Sequence, residues 1–116
     1  MNITREEHGA VEVIGLPQRL TMSDAGEYRH AIRDIVDSGC NLIALDMSRV
    51  DFVDSSGLSV LVSAYKAARN ADGDAALFGL QPQVRALVEL TRLHHIFEVF
   101  ADKTSAVNHL NQSTVA

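Results

Sequence analysis

Between Leu42 and Arg69 a short apolar run, an acidic turn with two adjacent serines, and an apolar helical stripe follow one another. This succession constrains the chain more than any other stretch. Leu42-Ile-Ala-Leu-Asp-Met47 is short and rich in branched residues, which favours a buried strand over a helix. Beyond it, Leu58, Leu61, Val62, Tyr65 and Ala68 recur at helical spacing, one stripe of an amphipathic helix. Between the two lies Asp54-Ser55-Ser56-Gly57, a cluster of helix-start residues. Strand, acidic turn, hydroxyl pair and helix, in that order, place two serine hydroxyls at the positive end of a helix dipole. The ordinary duty of such a cluster is to cap the helix. Gly57 suggests more. Glycine in a first turn costs roughly 0.5–1 kcal/mol against alanine, and it leaves the backbone uncovered, so that another molecule can come close.

The rest of the chain reads as further strands and helices. Ile3 to His8 and Val11 to Leu16 are strand candidates joined by the turn Gly9-Ala10, a hairpin that Pro17 ends. Pro17 to Met22 is a loop. A helix capped by Ser23 or Asp24 follows to about Asp37, with Tyr28, Ile32, Ile35 and Val36 inward and Gly39 closing it. Gly73 stops the helix that begins at Ser55. Ala75 to Leu80 is a strand, and Pro82 opens a helix with Val84, Leu87, Val88 and Thr91 on one face. Ile96 to Phe100 is a last strand and Lys103 to Leu110 a last helix, with Val107 and Leu110 inward, before a frayed end from Gln112 to Ala116. Strands alternating with helices imply an α/β domain with a mainly parallel sheet of about five strands and right-handed crossovers. The N-terminal pair is the antiparallel exception.

A chain of 116 residues suits one domain, spanning 1–116 with a core from about 11 to 110. At 47% apolar residues, a core forms without metals or disulfides. The single cysteine, Cys40, excludes an intrachain disulfide and reads as a buried structural thiol. Met1 to His8 is polar and charged, unlike a secretory signal, and no apolar run approaches membrane-spanning length, so a cytosolic (cytoplasmic) protein with no membrane partner is expected. A net charge of −5 disfavours nucleic acid and permits a protein partner with a basic surface.

In a parallel α/β unit, sites lie at the carboxyl ends of strands, and Met47 to Gly57 is the longest loop of that kind. It holds Asp51, Asp54, Ser55 and Ser56, with Arg49 the nearest cation in sequence. A serine nucleophile is one reading, but a hydrolase elbow carries glycine on both sides of the serine, and Val53 stands where the first glycine belongs. The base would have to come from His8, His30, His94, His95 or His109, and His94-His95 reads as a solvated surface pair. Phosphate binding at the helix start lacks a glycine-rich motif and faces repulsion from Asp51 and Asp54. A magnesium site from Asp46, Asp51 and Asp54 is conceivable, although turn and cap duties account for all three. A third reading makes the serine a substrate, because an exposed hydroxyl beside a glycine can enter another protein's active site.

Leu45-Asp-Met-Ser-Arg-Val-Asp-Phe-Val-Asp-Ser-Ser-Gly-Leu58 closely resembles the signature of STAS domains, found in sulfate transporters and in bacterial anti-sigma-factor antagonists. By order of elements the likeness runs from Val11 to Phe100, and the chain's length points to the free-standing antagonist branch. The resemblance implies a mainly parallel sheet with helices mostly on one face. It implies no enzymatic activity, no cofactor and no metal. It also implies partner switching in transcription regulation. The first serine of the motif, Ser55, would be phosphorylated by an anti-sigma factor that is a serine/threonine kinase of the histidine-kinase-like ATPase type. The unphosphorylated antagonist would bind that kinase and release sigma, and a PP2C-type phosphatase would restore the serine. The docking surface would comprise Thr21, Asp54, Ser55, Ser56 and Gly57. Where the family often shows Gly-x-Leu-Asp after the second strand, this chain has Gln18-Arg19-Leu20-Thr21. A STAS module of another signalling scaffold or of a transport system is the runner-up, and a small serine hydrolase the enzymatic rival.

Overall fold

The computed structural model describes residues 3–112. In chain order its elements are β1 (Thr4–His8), β2 (Val11–Gly15), β3 (Arg19–Leu20), α1 (Met22–Asp37), β4 (Leu42–Asp46), β5 (Phe52–Val53), α2 (Ser55–Asn70), β6 (Asp74–Phe78), α3 (Pro82–Leu90), a single 3-10 turn at Leu93–His95, β7 (Glu98–Phe100) and α4 (Lys103–Gln112). One sheet runs in the order β1-β2-β4-β6-β7. β1 pairs antiparallel with β2 through the Gly9-Ala10 turn, and every other pairing in this sheet is parallel. The expected α/β architecture, hairpin included, is the one observed.

β4 and β6 carry near-continuous apolar runs and β2 one interrupted by the buried Glu12, because both faces of these strands are covered. Successive side chains point to opposite faces. Ile14, Ile43, Leu45, Ala75 and Leu77 meet α1, α2 and α3 in the larger core. Val11, Val13, Leu42, Ala44, Ala76 and Phe78 meet Ala106, Val107 and Leu110 of α4 on the other face. Three helices thus cover one face and α4 the other. No helix among the described residues is long and apolar enough to cross a membrane.

Several expectations are corrected. The segment Pro17 to Met22 is not all loop: Arg19 and Leu20 form β3, which pairs in parallel with β5 as a second, two-stranded sheet. α1 starts at Met22 with Thr21 as the flanking residue, so neither Ser23 nor Asp24 is the cap. α2 buries Gly57, Val60, Leu61, Ala64 and Ala68, while Leu58, Val62 and Tyr65 lie half-buried at the margins. Its inner face is turned toward its smallest residues, which lets the helix lie close to the sheet. Gly73 does not stop α2, which ends at Asn70; Asp72 takes the left-handed conformation (φ 64°) instead. Gly73 is needed because a Cβ there would overlap the Asn41 carbonyl. Thr91 is exposed just past the end of α3, and the last strand is shortened by the 3-10 turn, which buries Leu93. Cys40 is half-buried rather than buried, its thiol donating to the Glu12 carboxylate at 3.5 Å. Glu12 itself is only 3% exposed and pairs with Arg5 at 3.2 Å. Beyond Gln112, the expected frayed end lies outside the described residues.

Candidate functional site

The β3–β5 pair builds the site by carrying two distant loops together. The Gln18 carbonyl accepts the N–H groups of Asp51 and Phe52, and the Leu20 carbonyl accepts that of Asp54. The Gln18 side-chain amide donates to the Asp51 carboxylate at 2.7 Å. Residues 18–22 and 51–57 therefore form one continuous surface at the amino ends of α1 and α2.

Asp54 is the joint of that surface. Its backbone is extended, as a helix cap requires, and its Oδ1 accepts the Gly57 N–H at 2.9 Å. Its Oδ2 accepts the Met22 N–H, also at 2.9 Å, across 32 positions of sequence. A single carboxylate thus satisfies a first-turn donor of each helix, in a place where the Thr21 side chain makes no capping bond. These contacts, with Gly57 first and Met22 second, hold the Asp54 carboxyl below the ordinary carboxylate range. The carboxylate therefore stabilises the fold fully above its unfolded-state pKa of about 3.9, and this contribution is lost as pH falls through the lower, folded-state value. Asp54→Asn should be less stable than wild type at neutral pH, with the gap closing as pH falls below about 4. Urea unfolding of both proteins at neutral pH and at successively lower pH checks this. A gap that stays constant with pH would show that the charge of Asp54 is not what matters.

Gly57 is buried, and a Cβ there would overlap the Leu20 carbonyl and lie 2.8 Å from a methyl of Val53. The backbone that approaches Gly57 is thus the chain's own, contrary to the expectation that it lies uncovered for another molecule. Ser55 is exposed, and among the described residues its hydroxyl has no hydrogen-bond partner. Ser56 is half-buried and its carbonyl accepts the Ser59 hydroxyl at 2.7 Å. Around them stand three residues that the sequence reading did not single out. Met22 is 76% and Phe52 43% exposed, and the Arg19 guanidinium lies 4.4 Å from the centre of the Phe52 ring. The outward Phe52 beside the inward Val53 is the one signal that could have marked this surface in advance.

The rival chemistries gain little from this geometry. Asp46 accepts the backbone N–H and hydroxyl of Ser48, Asp51 takes the Gln18 amide, and Asp54 caps two helices. The three carboxylates are engaged separately, and among the described residues no cluster of three or more His, Cys, Asp or Glu is arranged to hold a metal. His94 and His95 are exposed on the 3-10 turn, as expected, and no histidine among the described residues is hydrogen-bonded to either serine. Arg49 is exposed.

Comparison with known proteins follows the same lines. The family model for the STAS domain matches residues 2–106. The Anti-sigma F factor antagonist of Paenibacillus polymyxa is 25% identical over 111 residues, covering 95% of each chain. Among solved structures, an anti-sigma factor antagonist from Mycobacterium paratuberculosis superposes with a TM-score of 0.85 at 23% identity, covering 95% of this chain and 93% of that one. The phosphorylated form of the Bacillus cell fate determinant SpoIIAA superposes with a TM-score of 0.72 at 20% identity, covering 92% and 97%. The family match over most of the chain, with the parallel sheet and the serine-bearing helix start, establishes that the chain belongs to the STAS domain family.

Proposed function

We propose that this STAS domain is an anti-sigma-factor antagonist that acts by binding rather than catalysis, and that phosphorylation of Ser55 controls its choice of partner. The observation that carries this reading is the state of the hydroxyl pair. Among the described residues neither hydroxyl has a hydrogen-bond partner, but Ser55 is exposed whereas Ser56 is half-buried. A serine offered as a substrate must be accessible at its oxygen, and Ser55 fits that need better. The surrounding surface suits a protein partner. Exposed Met22 and Phe52 offer apolar anchors, and Arg19 stacked on Phe52 adds a cation that can turn to a carboxylate. Thr21, Asp54, Ser55, Ser56 and Gly57 are the docking residues of this reading. Gly57 contributes through backbone placement, since its own surface is buried.

The partners in this reading are an anti-sigma factor that is a serine/threonine kinase of the histidine-kinase-like ATPase type and a PP2C-type phosphatase that reverses its action. Support comes from the family membership and from relatives named anti-sigma factor antagonists. Incubation with the partner kinase and ATP, followed by mass-spectrometric mapping, should find one phosphate, on Ser55. Phosphate on Ser56 or Thr21 would overturn the assignment.

A further inference from the structure

α1 and α2 lie side by side and leave a groove on their solvent face. Its wider part encloses about 450 Å³, with Val36 and Ala67 on the floor and Arg33 and Lys66 at the walls. Arg33 also lines the adjoining part, beside Arg29, so the two are continuous. Arg33 and Lys66 are exposed, and among the described residues neither has a hydrogen-bond or ion-pair partner. α2 carries no carboxylate, Asp37 of α1 lines the same groove as Arg33, Asp34 lies 3.4 Å from His30, and Asp24 and Glu27 of α1 are not among the lining residues. In a chain of net charge −5, the wider part of the groove sets two cations, Arg33 and Lys66, against the one carboxylate of Asp37. The groove also leads to the proposed docking surface. The Arg29 guanidinium donates to Ser59 at 2.7 Å, one helical turn along α2 from Ser55.

We infer that this groove seats an acidic segment of a partner protein, its carboxylates on Arg33 and Lys66 and an apolar side chain over Val36 and Ala67. A polyanion such as RNA or an anionic membrane would feel the whole negative surface and be repelled. A short protein segment with a few carboxylates meets the positive groove alone. The inference takes as that partner the kinase that reads Ser55, and in this it rests on the function proposed above.

The test is equilibrium binding of that kinase to the full chain at about 50 mM and about 300 mM salt, where surface attraction is weakly and strongly screened. The Arg33→Glu/Lys66→Glu double variant should bind about tenfold more weakly at low salt and lose much of the salt dependence. Both positions are exposed, so its thermal midpoint should match wild type, and Arg33→Gln/Lys66→Gln should fall between. Ser55→Asp serves as the reference. If Ser55→Asp abolishes binding while the double variant binds like wild type, the groove assignment is overturned and the Ser55 reading stands. The reverse pattern supports the groove and overturns the Ser55 reading. Retention of wild type, and not of the double variant, by RNA or by phosphatidylglycerol vesicles would overturn a protein occupant.

Discussion

Gly57→Ala should destabilise the domain by about 3 kcal/mol, a cost at the upper end of what overpacking commonly imposes. Helix propensity alone predicts the opposite sign, a gain of about 1 kcal/mol for alanine inside a helix. Steric overlap decides between them. The new methyl would overlap the Leu20 carbonyl and stand 2.8 Å from Val53. Neither neighbour yields easily. The Leu20 carbonyl is held by the Asp54 N–H, the Leu20 side chain is fully buried, and Val53 is paired in β5. The strain would be relieved by pushing β3 away from α2, which separates Thr21 and Arg19 from Ser55. Loss of partner binding should therefore accompany the loss of stability. A urea midpoint equal to or above that of wild type would show that the contact between β3 and α2 is not tight.

Ser55→Asp should weaken kinase binding by about 100-fold or more, which corresponds to about 2.7 kcal/mol. Two routes to such an effect compete: refolding of the domain, or direct damage to the docking surface. Refolding needs a cluster of cations waiting to capture the new charge. Arg19, stacked on Phe52, is a single cation and not a cluster, Asp51 and Asp54 stand on the same surface, and Asp54 already holds the Gly57 and Met22 N–H groups that an anion at this helix start would seek. The helix dipole can tolerate the charge where it lies, by about 0.3–1 kcal/mol. A phosphate on Ser55, with about −1.5 to −2 charge, should therefore leave the fold nearly unchanged and should have to be desolvated when a partner closes over it, at a cost of several kcal/mol. Amide shifts between free and phosphorylated protein should be confined to residues 18–22 and 49–60. Shifts spread through α3 would favour a conformational switch.

The sheet was legible because the strands buried on both faces, β2, β4 and β6, are apolar runs broken only by Glu12 and by Asp46 and Asp74 at their ends, and the inner face of α1 because Tyr28, Ile32, Ile35 and Val36 keep the helical period. The α2 stripe kept Leu61 and Ala68 but missed Gly57, Val60 and Ala64: glycine and alanine count little in an apolar pattern, and with apolar residues at 58, 60, 61 and 62 the pattern does not single out one face. β3 and β5 are two residues each, too short to show any period. Their pairing brings Arg19 and Met22 to Ser55, so half of the candidate site is tertiary in origin. The cap on α1 was missed for the same reason: a search near Met22 does not find a carboxylate 32 positions away. The serine motif itself was legible as a helix start, and its likeness to STAS signatures agrees with the family match.

The central claim is that one hydroxyl, at Ser55, governs partner choice, and the most direct measurement is the affinity of the partner kinase for the phosphorylated and unphosphorylated protein, with Ser55→Ala as the unmodifiable reference. Unphosphorylated wild type and Ser55→Ala should bind alike, the phosphorylated form should bind about 100-fold more weakly or not at all, and ATP should release wild type but not Ser55→Ala. Equal affinity for the phosphorylated and unphosphorylated forms would contradict the claim.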